Sequence, residues 1–568
     1  MSLTRGAYPL RVTTAVEAAA RDHAAIASGV SSFSLMVTAG TRSAEVIMRS
    51  YGHALAGGVA VFAGTGNNGG DAYIVAAQLA RAGVRVRVLG AGEPRTPDAQ
   101  RAVSLAREAG GARLTFEPAT GREAVLVDGL LGTGHRAGLR EPIAGFVARM
   151  QAHRARGAHV VALDVPTGLN ATTGACDEGS VPAALTVTYG TIKRGLLLSR
   201  AHAGRIVLVD IELGAHVALS DDAWLLADHH SLAQCLPTVP WNAHKGQRGF
   251  LEVVGGGEGM AGAVTLAVRA ALASGLGLAR AYVAGASVAP LQHVVPQAIT
   301  RSWRLSDDSA TSAAPTPADA ADAGSAKAPT ALALGPGLGR TAAAIAVMRE
   351  TLDAWPTVPV VLDADALNLI AAESGDVAFT LRAWCGEERE VVCTPHPLEF
   401  ARLTGVAASA SWADREAALR NFATRSRATI LLKGAPTLIA TTTIATPSVH
   451  GVAAPPARVI AVPPARVIAV PHGTTLLATG GSGDMLTGLI GGLLAQGVAA
   501  PDAAAVGASV HGIAAELATE QAGGVRGLVL DDVLRALPQA WRQIERALLP
   551  PPGVLADLRA PDAVNGAL

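Results

Sequence analysis

The 568-residue sequence predicts an α/β chain of two domains, each a mostly parallel sheet with helices on both faces. Three observations predict it. Short β-branched runs alternate with amphipathic stretches from Val59 to about Asp210. A second alternation begins at "GFLEVVGGG", residues 249–257, and runs to about Ile544. Several of the runs end in glycine-rich turns that lead into a helical stretch, which is the rhythm of strand–turn–helix units.

The N-terminal stretch, "MSLTRGAYPLRVTTAVEAAARDH", has no apolar core of the kind a signal peptide needs, so a cytoplasmic protein is expected. The strands of the first domain, residues 1–215, are read as "VAVFA", "VRVRVLG", "AVLVDG", "HVVALDV", "LTVTYG" and "RIVLVD". This is a Rossmann-like α/β/α arrangement. A less regular stretch, 216–241, reads as a linker. The second domain spans 242–548 and includes "ALALGPGLG", "VPVVLDADALN", "REVVCTPH" and "TILLKGAPTLIA". Residues 305–328 are poor in large apolar side chains and read as a disordered insertion. "PPARVIAV" occurs at 455–462 and again at 463–470, which reads as a tandem duplication in a surface hairpin with one copy extruded. The tail, 549–568, reads as flexible.

Composition excludes several function classes. Lys plus Arg and Asp plus Glu number 46 each, and basic residues are not interleaved with aromatics, so a nucleic-acid partner is not expected. "MLTGLIGGLLAQGVAA" is short for a membrane span and reads as a buried helix. The four cysteines form no C-x-x-C, which disfavours a zinc site or a disulfide framework.

The motifs carry the chemistry. "GTGNNGGDAY", residues 64–73, places Gly64, Gly66 and Gly69 at a strand-to-helix turn in the spacing of a dinucleotide fingerprint. Its backbone amides and helix N-terminus suit an anion. The alternative is a plain tight turn, which two adjacent Asn and four Gly disfavour. A nicotinamide dehydrogenase needs an acidic residue at the end of the next strand, where Leu89 and Gly90 stand instead. Two more strand ends carry Asp128, in "VLVDGLLGTGHRAG", and Asp164, in "VVALDVPTGLNATTG". Beside Asn68 and Thr167 these carboxylates suit a cation or acid–base work, against the plainer reading of turn caps.

In the second half, "ATGGSGDMLTG" places Gly480, Gly481 and Gly483 at the start of an apolar helix, with Asp484 beside this anion hole. An ordinary N-cap is the alternative for Asp484. "VLDADALN" adds Asp363, Asp365 and Asn368. "TPHPLEFARL" adds His396 and Glu399, "KGAPT" adds Lys433 and Thr437, and "HKGQRG" adds His244 and Lys245.

Taken together, the first-half motifs resemble the NAD(P)HX epimerase family, whose signatures look like "GxGNNGGD", "DxLxGTG" and "DxPSG". The second half resembles the ADP/ATP-dependent NAD(P)HX dehydratases of the ribokinase-like fold, with "HKG", "GPGLG", "VLDADALN", "TPHPLEF", "LKGAPT" and "GGSGD" in that order. The fusion resembles the bifunctional NAD(P)H-hydrate repair family and spans about Tyr8 to Ile544. The resemblance implies that the first domain interconverts R and S hydrates and that the second dehydrates the S form with ADP, releasing AMP and phosphate.

The resemblance also implies the site residues. Substrate contacts in the first domain fall to Asn67, Asn68, Gly69, Gly70 and Asp71, to Gly132, Thr133, Gly134, His135, Arg136, Ala137 and Gly138, and to Asp164. A potassium ion falls to Asn68, Asp128 and Thr167. In the second domain Ala263, Gly337, His396 and Asp484 would hold the hydrate, and Lys433, Gly434, Ala435, Pro436, Thr437 and Gly483 the nucleotide. Asp164 and Asp484 are the catalytic candidates, and Mg2+ is expected on the nucleotide phosphates. The expected partners are NADHX, NADPHX and ADP, with no nucleic acid and no membrane, in a homo-oligomer.

Departures from the family pattern are Thr167 for Ser, Val37 for Glu, Gln297 for an acidic residue, and no Asn-Pro run before the glycine loop. A ribokinase-like small-molecule kinase is the alternative activity, separable by its phosphorylated product. A non-catalytic binding scaffold is a third reading, against which the retained Asp128 and Asp164 count.

Overall fold

The computed structural model describes residues 10–135, 138–213, 222–303, 328–373, 375–386, 389–442, 465–547 and 550–560. The expected insertion (but for residue 328), the first "PPARVIAV" copy, Arg136 and Ala137 lie outside the described residues. The chain divides into two compact units. One holds Leu10–Trp224 with the C-terminal stretch, and the other begins at Leu225 and ends at Leu548.

In the first unit a short parallel pair, β1 (Arg11–Thr13) and β8 (Ile192–Lys193), accompanies a main sheet. The main sheet contains β2 (Val59–Ala63), β3 (Val86–Gly90), β4 (Leu114–Thr115), β5 (Val125–Gly129), β6 (His159–Leu163), β7 (Leu185–Tyr189) and β9 (Arg205–Val209). Its order is β9-β7-β6-β5-β2-β3-β4, with these strands parallel. The central strands β2 and β5 are buried at every position, as expected where helices cover both faces. The chain runs outward through β3 and β4, then returns to place β5 on the other side of β2. That reversal opens a crevice at the carboxyl ends of β2 and β5. The loops that follow are "GTGNNGGD" and "LLGTG".

The second unit repeats the logic. Its strands are β10 (Trp224–Leu226, paired through Leu225 and Leu226), β11 (Phe250–Gly255), β12 (Leu278–Ala284), β13 (Ile299–Trp303), β14 (Ala331–Leu334), β15 (Val360–Leu362), β16 (Val391–Cys393), β17 (Thr429–Leu432), β18 (Thr437–Thr441) and β19 (Arg466–Val470). The order is β13-β12-β11-β14-β15-β16-β17-β18-β19-β10, and β18 runs antiparallel to both of its neighbours. The reversal here falls between β11 and β14, so the loops at Gly255–Met260 and Gly335–Gly339 share one crevice. The helix Ser482–Ala495 packs over this sheet with Met485, Leu489, Ile490 and Leu493 in the core. None of the helices among the described residues is long and apolar enough to cross a membrane.

Two sequence expectations need correction. The stretch read as a linker holds β10 and a helix, His229–Gln234, because Trp224, Leu225 and Leu226 are apolar and buried. Of the two octamer copies, the second supplies Arg466–Val470 as β19, which pairs with β18 and β10, and the first lies outside the described residues. The tail read as flexible forms a strand, β20 (Val554–Leu558), antiparallel to β9. Val554, Ala556 and Leu558 alternate inward and are buried, so a period-2 pattern caps the sheet edge.

Candidate active sites

In the first unit the turn after β2 leads directly into the helix Asn67–Arg81, capped by Gly66 with no side-chain bond. A Cβ on Gly69 would lie 1.9 Å from the Gly64 carbonyl oxygen, so only glycine lets helix and strand approach this closely. Gly66 faces open space, which leaves the first-turn amides accessible. They line a cleft of about 980 Å3 together with Asp71, Gly132, Thr133, Asp164 and Lys193.

Asn68, Asp128 and Thr167 converge on the turn after β5. The Asn68 amide donates to the Leu131 carbonyl at 2.8 Å, and Thr167 Oγ1 accepts the Leu131 amide at 3.1 Å. Asp128 accepts the Thr167 hydroxyl at 2.6 Å, the Thr167 amide at 2.8 Å and the Leu130 amide at 3.2 Å. Burial nevertheless holds the Asp128 carboxyl above its ordinary range. Asn68 Oδ1 is buried without a hydrogen-bond partner among the described residues. An acceptor buried without a partner among the described residues, beside a buried carboxylate and a hydroxyl, is an oxygen-only set that suits a hard cation and not zinc.

Asp164 follows β6 with φ of +62°, a left-handed conformation that Asp tolerates better than most residues. Its Oδ1 accepts from Lys193 Nζ, from the Thr188 hydroxyl at 3.2 Å and from the Tyr189 amide at 3.4 Å. Asp71 is nine-tenths buried on the helix Asn67–Arg81. Burial, then the charges of Asp164 and Asp22, push its carboxyl well above the usual range. His135 and Gly138 are joined through Asp177, whose carboxylate meets His135 Nε2 at 2.5 Å and accepts the Gly138 amide at 3.0 Å. Lys193, Asp22 and Asp177 were absent from the sequence reading. Each comes from a segment with no motif of its own, and only the fold carries Lys193 and Asp22 to the cleft and Asp177 to His135.

In the second unit Gly481 opens the helix Ser482–Ala495 with φ of +93°. Asp484 stands in its first turn. Burial raises its carboxyl to about 7, with Asp363 adding to the rise and Lys433 opposing it. A Cβ on Gly483 would sit 2.9 Å from Lys433 Nζ, so the loop and the lysine are in close contact. Lys433 donates to Asp363, and the turn Lys433, Gly434, Ala435 and Pro436 leads into β18 at Thr437. The Thr437 hydroxyl donates back to the Gly434 carbonyl at 3.1 Å. Gly337 and Ala263 meet across the crevice, since a Cβ on Gly337 would lie 3.1 Å from Ala263 Cβ.

His396 caps the helix Pro397–Thr404. Its Nδ1 accepts the Leu398 and Glu399 amides at 3.1 and 3.2 Å, and Glu399 accepts the His396 amide at 2.9 Å. Nδ1 as acceptor puts the ring proton on Nε2. Burial and the Lys433 charge lower its pKa, so the ring is neutral near pH 7. Lys245 and His244 are exposed, and His244 accepts the Gly246 amide. Among the described residues no cluster of three His, Cys, Asp or Glu could hold a metal ion.

Two family models match the chain. Residues 32–195 match the YjeF-related protein N-terminus, and residues 251–450 and 452–539 match NAD(P)H-hydrate dehydratase. A relative from Moorella thermoacetica, the bifunctional NAD(P)H-hydrate repair enzyme Nnr, is 33% identical over 535 residues, covering 91% of this chain and 93% of the relative. This chain belongs to the bifunctional NAD(P)H-hydrate repair enzymes. Members of that family from Coxiella burnetii and Escherichia coli are each 31% identical over 516 residues, covering 90% of this chain and 95% and 89% of theirs. In this repair enzyme the two family matches fall one on each compact unit, over the two crevices described above.

Proposed function

We propose that this chain restores hydrated NADH and NADPH in two steps. The first unit interconverts R- and S-NAD(P)HX, and the second dehydrates the S form with ADP, releasing AMP and phosphate. The observation that carries the reading is Asp484. It stands at a glycine-lined helix N-terminus beside an anchored lysine, with its carboxyl raised to about 7. A base poised there can take a proton from a hydroxyl at neutral pH.

The hydrate carries a hydroxyl on C6, next to N1. In the second unit Asp484 takes the hydroxyl proton and the oxygen attacks the terminal phosphoryl of ADP, so that AMP departs. The amides of Gly481 to Gly483 and the Lys433 ammonium stabilise the transferring charge. Phosphate then leaves C6, C5 loses a proton, and the dihydropyridine returns. Gly434, Ala435, Pro436 and Thr437 would border the nucleotide, and Ala263, Gly337 and His396 the hydrate. Mg2+ would arrive on the nucleotide phosphates and neutralise part of their charge.

In the first unit Asp164 is the acid–base group. It takes the C6 hydroxyl proton as the N1–C6 bond opens to an aldehyde, with the electron pair and a proton going to N1. Closure on the opposite face of the aldehyde gives the other epimer. The glycine loops at Asn67–Asp71 and Gly132–Gly138 would hold the dinucleotide, and Asn68, Asp128 and Thr167 would hold K+. The orphaned Asn68 oxygen supports the K+ site. The reading extends to a homo-oligomer in the cytoplasm, compatible with four free cysteines. Incubation with mixed hydrate epimers and ADP tests the whole reading. Recovery of reduced nicotinamide absorbance from both epimers, with one phosphate released per hydrate, is expected. A phosphorylated product that accumulates would favour a kinase.

A further inference from the structure

We propose that Lys193 is a positioning residue for epimerisation, fixing Asp164 with one carboxylate oxygen held and the other offered to the cleft. The proposal rests on the reading of Asp164 as the acid–base group of the first unit.

Lys193 ends β8, in the segment "YGTIKRG" just after β7. Its side chain is 4% exposed. A lysine ammonium has three N–H donors and no acceptor. Here Nζ meets three acceptors: Asp164 Oδ1, the Thr188 hydroxyl at 3.2 Å and the Tyr189 carbonyl at 3.0 Å. Every proton is committed, so the ammonium is an internal anchor and not a phosphate ligand. These three contacts offset the cost of burying the amine head, which would be strongly disfavoured without them.

The same contacts are asymmetric on Asp164. Lys193, Thr188 and the Tyr189 amide all approach Oδ1, and no hydrogen bond among the described residues reaches Oδ2. The backbone at Asp164 is also fixed, with its amide donating to the Val187 carbonyl at 2.7 Å. One oxygen pinned by three donors defines where the second points. A base with a fixed lone pair works from a near-attack geometry, while a freely rotating carboxylate does not. Burial pushes the carboxyl of the neighbouring acid, Asp71, well above its usual range, which disfavours a second charged carboxylate beside the ammonium.

The test uses the full chain with nucleotide omitted, so that only epimerisation runs. Relaxation of a pure S-hydrate sample toward the R,S mixture is followed by chromatography above the spontaneous rate. Lys193→Met is expected to lower kcat by about 10²-fold, with KM for the hydrate shifted by less than roughly threefold. Lys193→Arg, which keeps a cation at this position, is expected to recover at least part of that loss. A Lys193→Met kcat near the native value, or a loss carried wholly by KM, overturns the proposal. Should Lys193→Met fail to fold, Thr188→Val removes a partner shared by Lys193 and Asp164. It is expected to lower kcat roughly tenfold, and an unchanged kcat overturns the proposal equally. Asp164→Asn is run alongside. Native epimerisation by that variant removes the reading of Asp164 itself. An inactive Asp164→Asn beside a native-like Lys193→Met removes only the role of Lys193.

Discussion

Lys433 donates to Asp363 Oδ1 at 2.7 Å, and the Thr487 hydroxyl donates to the other oxygen of the same carboxylate at 2.7 Å. Asp363 is buried at the end of β15, so it ties the β17 turn to the helix that carries Asp484. Asp363→Asn keeps the shape and removes the charge. Lys433 is then left without its ion partner and less fixed beside Gly483. The nucleotide KM of the dehydratase is expected to rise roughly tenfold, with about 1–3 kcal/mol lost in stability, less than for a fully buried pair because Lys433 is partly exposed. The Asp363 charge also raises Asp484. Removing it favours ionised Asp484, so the acid limb of dehydration is expected to move below pH 7. Saturation curves in ADP and a pH–rate profile check both. A limb that moves upward contradicts the assignment.

Asp484 itself sets two opposite pH trends. As a base it must be ionised, so dehydration is expected to rise through about pH 7 and level off above it. Stability runs the other way. The folded carboxyl holds its proton up to about 7, while the unfolded one releases it near 3.8. The folded state therefore binds more protons between those values, and stability falls as pH rises across that window. Asp484→Asn is expected to flatten this fall and to lower dehydration by roughly 10²- to 10⁴-fold. Epimerisation, assigned to the other unit, is expected to be unchanged. Denaturant melts at several pH values and hydrate-dependent phosphate release measure the two effects.

The strand ends were legible because each element announces its own end. "VAVFAGTG" and "VLVDGLLGTG" show a buried run stopping at glycines, and the structure places β2 and β5 there. The carboxylates Asp128, Asp164 and Asp484, at strand ends and a helix start, were visible for the same reason. What was not legible is long-range pairing. β20 has only five residues, and nothing local says that β9 lies ready to accept it. β10 reads as irregular until its partner β19 is known. Lys193 looks like a surface lysine until the fold brings it against Asp164. Each of these depends on contacts far apart in sequence, which local periodicity does not encode.

The cation reading gives a third prediction. Asn68 Oδ1 has no hydrogen-bond partner among the described residues, and burial raises the Asp128 carboxyl. A monovalent cation would satisfy the first and relieve the second. Potassium is expected to raise the melting temperature of the first unit and its epimerase rate. Asp128→Asn is expected to abolish both responses, while Asp128→Ala also loses the bonds to Thr167 and Leu130. Melts across a potassium series, with sodium as the control, decide it. Equal response in the native chain and Asp128→Asn would remove the site.

The last prediction concerns the C-terminal strand. β20 covers the edge of the first unit's sheet at β9. Arg205 Nε donates to Asp557 at 2.8 Å, the Asp210 amide donates to the Gly553 carbonyl at 2.9 Å, and Arg200 bonds the Arg559 carbonyl. Val554 and Leu558 are buried, and each such side chain contributes about 1.5–3 kcal/mol when fully removed from water. The Arg205–Asp557 pair is more than a third exposed and adds about 1 kcal/mol or less. Stopping the chain after Leu549 therefore strips apolar cover and leaves the β9 edge unpaired, open to association with other chains. We expect the truncated protein to lose epimerase stability by several kcal/mol and to aggregate on warming, with dehydration retained. An N-terminal fragment that ends near residue 215 is expected to behave the same way, because it too lacks β20. Adding residues 550–560 back through a short linker is expected to restore it. Thermal unfolding, read together with epimer relaxation on the same samples, tests this. A truncated chain that melts and epimerises like the full chain would show that β20 is dispensable.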